Sequence, residues 1–313
     1  MTGTEASSPH PGRTLASRCG PLGVWGSNLE FHLAGPSQEA AAELEELGYG
    51  ALWITEGGFG SRGDVFAVAG VLLAATNRLV IATGIASIWA RDPTAMVTGA
   101  RVLGDAYPER FVLGLGTSHP GVGSWHGAQY EKPLTQLRAY IDAMDSTQYM
   151  GLHGEPAPRI IAALGPKMLS LAAERTAGAH PYLVPVEHTS FARGVLGDGP
   201  FLAVAQAVVL ERDKAAARKI ARAYVRAYLP RLRNYAANLR RLGWSEEDLA
   251  PSDRLVDALV VIGDAADVVQ RVQEHLAAGA DHVCVFPLIE DVVAIPIHEL
   301  RKIAHAFEGS PKR

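Results

Sequence analysis

The stretch Arg159–Pro185, RIIAALGPKMLSLAAERTAGAHPYLVP, decides the fold. Ile160 to Leu164 is a short apolar run that stops at Gly165-Pro166, which reads as a strand buried on both faces. Pro166 suits the first turn of a helix, where a missing N–H costs nothing. Met168, Leu171 and Ala172 follow at helical spacing, and Tyr182-Leu183-Val184 reads as the next strand. The unit is therefore strand, tight Gly-Pro-Lys turn, helix, strand. The free N–H groups opening that helix, with Lys167 beside them, form a candidate seat for a phosphate.

The same unit recurs on both sides. Strands are expected at 22–25, 51–55, 79–88, 111–116, 160–164, 182–184, 202–210 and 282–286. Helices are expected between them, over 37–47, 64–75, from Pro93, 134–150, 187–196 and finally 297–307. Regular alternation of apolar strands with helices implies parallel pairing, because each helix returns the chain to the same end of the sheet. Eight units in this length favour a closed α/β TIM barrel, (β/α)8, with an insertion between strands seven and eight. The insertion holds a basic helical region over 213–242, interrupted by Pro230, then a strand-like run 256–262 and a helix 264–278. If the last two belong to the sheet itself, an open doubly wound sheet is the rival. Residues 1–17 read as a disordered lead-in, 18–308 as one barrel domain and 309–313 as a tail.

Composition narrows the class. The chain has 313 residues, 48% of them hydrophobic, enough for one large core. A net charge of −4 argues against general nucleic-acid binding. Its two cysteines, Cys19 and Cys284, have no metal-like spacing, so a reducing cytoplasm is the expectation, with no metal. No apolar run approaches the roughly 20 residues of a membrane span.

In a barrel the site lies at the C-terminal ends of the strands, which selects a few loops. Glu56 follows the second strand. Thr83, Gly84 and Ile85 end the third, where a glycine inside an apolar strand marks a bulge or a close ligand approach, or else plain close packing. Gly116, Thr117 and Ser118 follow the fourth and offer amides and hydroxyls to an anion. His119 beside them could pass a proton or be one more loop histidine among eleven. Gly165, Pro166, Lys167 and Met168 form the phosphate turn. Trp25, Trp89 and Trp125 could line an aromatic pocket or belong to the core. The arginines of the basic region, Arg241 among them, are either a solvated face or a positive field for an anionic tail. Tyr228, Asn234 and Tyr235 flank Pro230 and could cover the mouth.

The pieces GYGALWITEG, LVIATGI with RDP after it, YPERFVLGLGTSHP and the opening stretch, in this order and spacing, resemble the bacterial luciferase-like monooxygenase superfamily. They are most similar to its branch of deazaflavin (coenzyme F420)-dependent oxidoreductases, over about Leu22 to Phe307. The resemblance implies a (β/α)8 barrel, usually a homodimer, with a flavin or deazaflavin at its mouth. It implies that Gly84-Ile85 forms a bulge behind the ring, often through a non-proline cis peptide, and that Gly165 to Met168 hold the cofactor phosphate. It places Glu56 near the reacting face. The sugar-phosphate dehydrogenases of that family carry Asp-His where this chain has Glu56-Gly57, and a glutamate where it has His119, which argues against a sugar phosphate as substrate. The implied activity is hydride transfer at the deazaflavin C5 to or from a small molecule, with His119 and Glu56 as catalytic candidates. The alternatives are an FMN-dependent monooxygenase served by a reductase partner, and a non-catalytic flavin-binding barrel.

Overall fold

The computed structural model describes residues 10–310, except 27, 30, 31, 34, 57–62, 128, 152–154 and 230. Ten strands form one sheet: β1 (Leu22–Trp25), β2 (Ala51–Ile54), β3 (Val80–Thr83), β4 (Ala86–Ser87), β5 (Phe111–Gly116), β6 (Arg159–Ile161), β7 (Gly178–Ala179), β8 (Phe201–Val209), β9 (Val260–Ile262) and β10 (His282–Pro287). Every pairing is parallel, and β10 pairs with both β1 and β8, which closes the barrel. The rival open sheet is excluded by that closure.

The third barrel strand is continuous in the sequence but broken in space. β3 pairs with β5 through Ile81 and Ala82, and β4 pairs with the same strand further along, through Ala86 and Ser87. Gly84-Ile85 bridges the two, and its peptide bond is cis. β9 adds to the outer end of β8, Ala207 facing Val260, beside the short β7.

Three expectations need correction. The sixth barrel strand is Gly178–Ala179, not 182–184: the latter follow Pro181 and its missing donor, and lie in the loop above. The run 256–262 is split, with a helix Asp253–Leu259 leading straight into β9. The lead-in expected over 1–17 contains a helix, Pro11–Cys19, whose Leu15 is 1% exposed. It joins the lumen core of the barrel and caps its N-terminal end; residues 1–9 lie outside the described residues. Proline at its start and a buried apolar face suffice to order it, despite its polar look.

Alternation along the strands sorts the core into layers. Leu52, Ile81, Leu113, Ile161, Val204 and Val283 point outward to the helices. Trp25, Trp53, Ala82, Val112, Ile160, Phe201 and Cys284 fill the lumen. The helix Ala265–Ala277, expected within the insertion, packs in the outer ring against the closing helix Ile297–Glu308. A buried chain of hydrogen bonds ties it down: His275 Nδ1 meets the Thr189 hydroxyl at 2.7 Å and its Nε2 meets Gln206 Oε1 at 2.9 Å. The rest of the insertion, helices Lys214–Tyr228 and Arg233–Arg241, builds a third core over Leu183, Ala207 and Val209. No helix among the described residues is long and apolar enough to cross a membrane.

Candidate active site

The bulge in the third strand is held by side chains the sequence places far apart. Thr83 donates its hydroxyl to the Gly114 carbonyl at 2.7 Å and accepts from the Gly114 amide at 2.8 Å. It replaces the backbone ladder where the strand departs, so its one donor is consumed. Glu56 accepts from the Ser87 amide at 2.7 Å and from Arg91 through both carboxylate oxygens. Arg91 also donates to Asp64 at 2.8 Å, and the Asp64 carboxyl stays below its usual range despite partial burial, because two amides and Arg91 bond it. Glu56 is thus a latch on the far end of the bulge, a half-buried bidentate ion pair rather than an open base.

Behind the bulge the strands meet closely. A β carbon on Gly116 would lie 2.9 Å from Ile85 Cγ1 and 3.3 Å from Ala162 Cβ. The glycine lets the fourth barrel strand lie close between the bulge and the end of β6. At that turn Gly165 caps the helix Pro166–Arg175. Its carbonyl accepts from Met168 and Leu169 at 3.1 and 3.0 Å, which uses the Met168 amide and leaves the Lys167 amide at the open end. The Lys167 side chain is exposed. Arg241, on the insertion, brings Nη2 to 3.7 Å from the β-carbon position of Gly165. The basic region therefore supplies a cation beside the turn, and a bound anion would meet helix amides and a guanidinium together.

The loop after β5 is pinned from two sides. Trp89 Nε1 donates to the Thr117 carbonyl at 2.6 Å, and the Tyr130 hydroxyl lies 3.3 Å from both Thr117 Oγ1 and the Ser118 carbonyl. Ser118 has a left-handed φ of 51°, which turns the chain toward His119. His119 packs against Tyr235, ring centres 5.8 Å apart, and its Nδ1 is buried without a partner. Burial pushes its pKa down, so the imidazole is neutral at ordinary pH.

Two further nitrogens, Trp25 Nε1 and His180 Nε2, are buried in the lumen without a partner. Trp25 ends β1 and His180 follows β7. An aromatic wall runs from Trp25 through Tyr182 and Tyr228 to Tyr235, with centre distances of 5.0, 5.6 and 6.1 Å. Tyr228 and Tyr235, which flank position 230, thus extend the ring contacts of Tyr182 toward His119.

Glu56, Thr83, Gly84, Ile85 and Gly116 to His119 therefore converge on one end of the barrel with Gly165 to Met168, and Arg91, Arg241, Tyr182 and His180 join them. His180 was legible only as the residue after a barrel strand; placing that strand at 182–184 hid it. The side chain of Trp125 and residues 57–60 lie outside the described residues. A cavity of about 800 Å³ lies elsewhere, between the insertion and the outer ring beside Leu210, Arg218, Gly263 and Arg271, and none of the candidate site residues lines it.

A parallel barrel with its functional groups on the strand C-termini defines a class of ligand-binding and enzymatic proteins. Residues 34–282 match the luciferase-like monooxygenase model, and the chain belongs to that family of oxidoreductases. It is 25% identical to a protein of Mycobacterium tuberculosis named a coenzyme F420-dependent oxidoreductase, over 82% of this chain and 91% of the other. Its fold matches the coenzyme F420-dependent tetrahydromethanopterin reductase of Methanopyrus kandleri, with a TM-score of 0.71 at 15% identity over 91% of this chain and 97% of that one. It also matches the oxygenating constituent of 3,6-diketocamphane monooxygenase of Pseudomonas putida in complex with FMN, with a TM-score of 0.67 at 14% identity, covering 86% and 91%.

Proposed function

We propose that this protein is a deazaflavin (coenzyme F420)-dependent oxidoreductase that moves a hydride between the cofactor and a small organic substrate. One observation carries the reading: Gly116 lies between the cis Gly84-Ile85 bulge and the end of β6, from which the chain runs into the Gly165 turn beside Arg241, and that juxtaposition supports a planar ring and its charged tail on one rim. The orphaned buried nitrogens of His119, Trp25 and His180 belong to residues at the C-terminal ends of their strands, the end that would carry a polar heterocycle or its substrate. The name of the mycobacterial relative favours F420 over FMN.

Bound there, a deazaflavin supplies a hydride-accepting carbon at C5. The chain supplies the rest. Glu56 and Arg91 fix the bulge that would support the ring. The amide of Lys167 and the guanidinium of Arg241 would hold the anionic tail. Tyr228 and Tyr235 exclude water. His119, neutral through burial, takes or returns the substrate's proton at a ring nitrogen.

The deciding experiment is a side-by-side titration with F420 and FMN followed by absorbance and fluorescence. We expect F420 to bind at least tenfold more tightly. Tighter FMN binding would instead support a monooxygenase with a reductase partner, and no binding of either would remove the oxidoreductase reading. With the preferred cofactor, His119→Ala should lower kcat by roughly 100-fold or more while leaving cofactor affinity unchanged; unchanged turnover takes His119 out of the chemistry.

A further inference from the structure

Away from the candidate active site, the cavity of about 800 Å³ lies where the ends of β8 and β9 meet the outer helices. That is the size of a small-molecule site. Leu210, Val260, Val261 and Ile262 give it an apolar lining. Solvent reaches it, since Arg212, Lys214 and Lys302, which also line it, are exposed.

The charged groups around it differ in what they have left to offer. Five cations and five carboxylates line the cavity, so their long-range fields largely cancel. Each carboxylate already has a partner. Asp257 pairs with Arg218 at 2.9 Å, and Glu274 with Arg271 at 2.9 Å. Asp264 and Asp267 accept from amides at the start of the helix Ala265–Ala277, and Glu211 accepts from the Asp213 amide at 3.0 Å. Arg271 and Arg218 are spent in the same ion pairs. Three cations remain, from three separate segments: Arg212 just past β8, Lys214 opening the helix Lys214–Tyr228, and Lys302 on the closing helix. Among the described residues none of the three has a carboxylate within ion-pair distance. The backbone adds a donor. Gly263 donates to the Val209 carbonyl at 3.2 Å, so alternation along β9 puts the Ile262 amide on the edge away from β8.

We propose that this cavity is an accessory binding site for an organic carboxylate with an apolar body. The head group is held by Arg212, Lys214 and Lys302, and the body covers Leu210 and the end of β9. A bare anion gains little there, because balanced charges give no net attraction and the apolar lining stays wet. An uncharged alcohol leaves the three cations unanswered. The neighbouring carboxylates repel a second negative charge, which selects a carboxylate over a phosphate monoester. Once bound, the carboxylate ties the first turn of the insertion to the closing helix. The site stands independently of the oxidoreductase reading, since it uses no residue of the candidate active site.

The test is calorimetric titration of the full chain with octanoate, octyl phosphate, octanol and acetate. Octanoate should bind one site per chain, at least fivefold more tightly than each of the others. At ten times its Kd it should raise the melting temperature by roughly 2 °C. Arg212→Ala and Lys302→Ala should each weaken octanoate binding roughly three- to tenfold. Both residues are exposed and unpaired, so these variants should melt as the wild type does. Arg241→Ala, beside the Gly165 turn, should leave octanoate affinity unchanged. No binding at about 10 mM octanoate overturns the site, as does full affinity in both cavity variants. Loss of affinity in Arg241→Ala overturns it too, by moving octanoate to the barrel mouth. Octanol or acetate binding as tightly as octanoate removes the need for one half of the ligand, and tighter octyl phosphate overturns the choice of a carboxylate. The titration with F420 and FMN decides the oxidoreductase reading separately.

Discussion

The barrel lumen holds two tryptophan–histidine pairs built from the same atoms. In the lower one Trp53 Nε1 donates to His282 Nε2 at 3.1 Å, and His282 Nδ1 donates to the Gly20 carbonyl at 2.7 Å. In the upper one His180 Nδ1 is bonded to Ala203 in the same way, but Trp25 Nε1 and His180 Nε2 have no partner. The lower pair lies under the cap formed by the Pro11–Cys19 helix; the upper pair is built from residues at the C-terminal ends of β1 and β7. The same chemistry is saturated in one pair and left unsaturated in the other, and unmet bonds of this kind concentrate at functional ends.

The sharpest break of this contrast comes from glycine. A β carbon on Gly23 would sit 2.4 Å from His282 Nε2 and 2.7 Å from the Ala51 carbonyl, so Gly23→Ala should cost on the order of 4 kcal/mol or prevent folding. Gly84→Ala meets the upper pair at 3.0 and 3.3 Å and should cost only about 1 kcal/mol, while weakening cofactor binding. Urea denaturation of both variants measures the difference; equal costs would erase the distinction between a closed and an open pair.

Acid comes next. Burial holds His180 and His282 down to about 4 and His275 to about 3. The unfolded chain takes up these protons near pH 6.5 and the folded chain does not, so unfolding gains protons below 6.5. Stability is therefore full above pH 6.5 and falls as pH drops toward 4, by roughly 2–3 kcal/mol for each histidine as an upper bound. Thermal melts at pH 7 and pH 5 should show it.

Smaller still is the loss of one indole N–H. Trp53→Phe leaves His282 Nε2 buried without its donor and should cost about 1–3 kcal/mol beyond the packing change. Trp25→Phe removes a donor that bonds nothing in the protein and should cost less than about 0.5 kcal/mol from that source. A comparable loss in both would mean that Trp25 has a structural partner.

Some of this was legible in the chain. Gly165-Pro166 after an apolar run announces a strand, a turn and a helix opening whatever surrounds them, because proline position and missing N–H groups are local matters. The cis Gly84-Ile85 peptide that the resemblance implies is present, and Thr117 to His119 follow the end of β5 as their sequence position suggests. Glu56 and Thr83 were found by position but not by role, since a carboxylate's partner 35 residues away, Arg91, is a fact of folding rather than of pattern.

The residue sequence by itself determined the alternation of strand and helix, hence parallel pairing and a single end of the barrel on which loops could carry chemistry, because periodicity and backbone chirality act over short distances. Only the closed tertiary structure decided which side chains meet across the lumen: that Trp53 finds His282, that Trp25 and His180 do not find each other, and that Arg241 returns from the insertion to Gly165. Those contacts depend on how far each strand is staggered around the barrel, and no local preference of the chain encodes that offset.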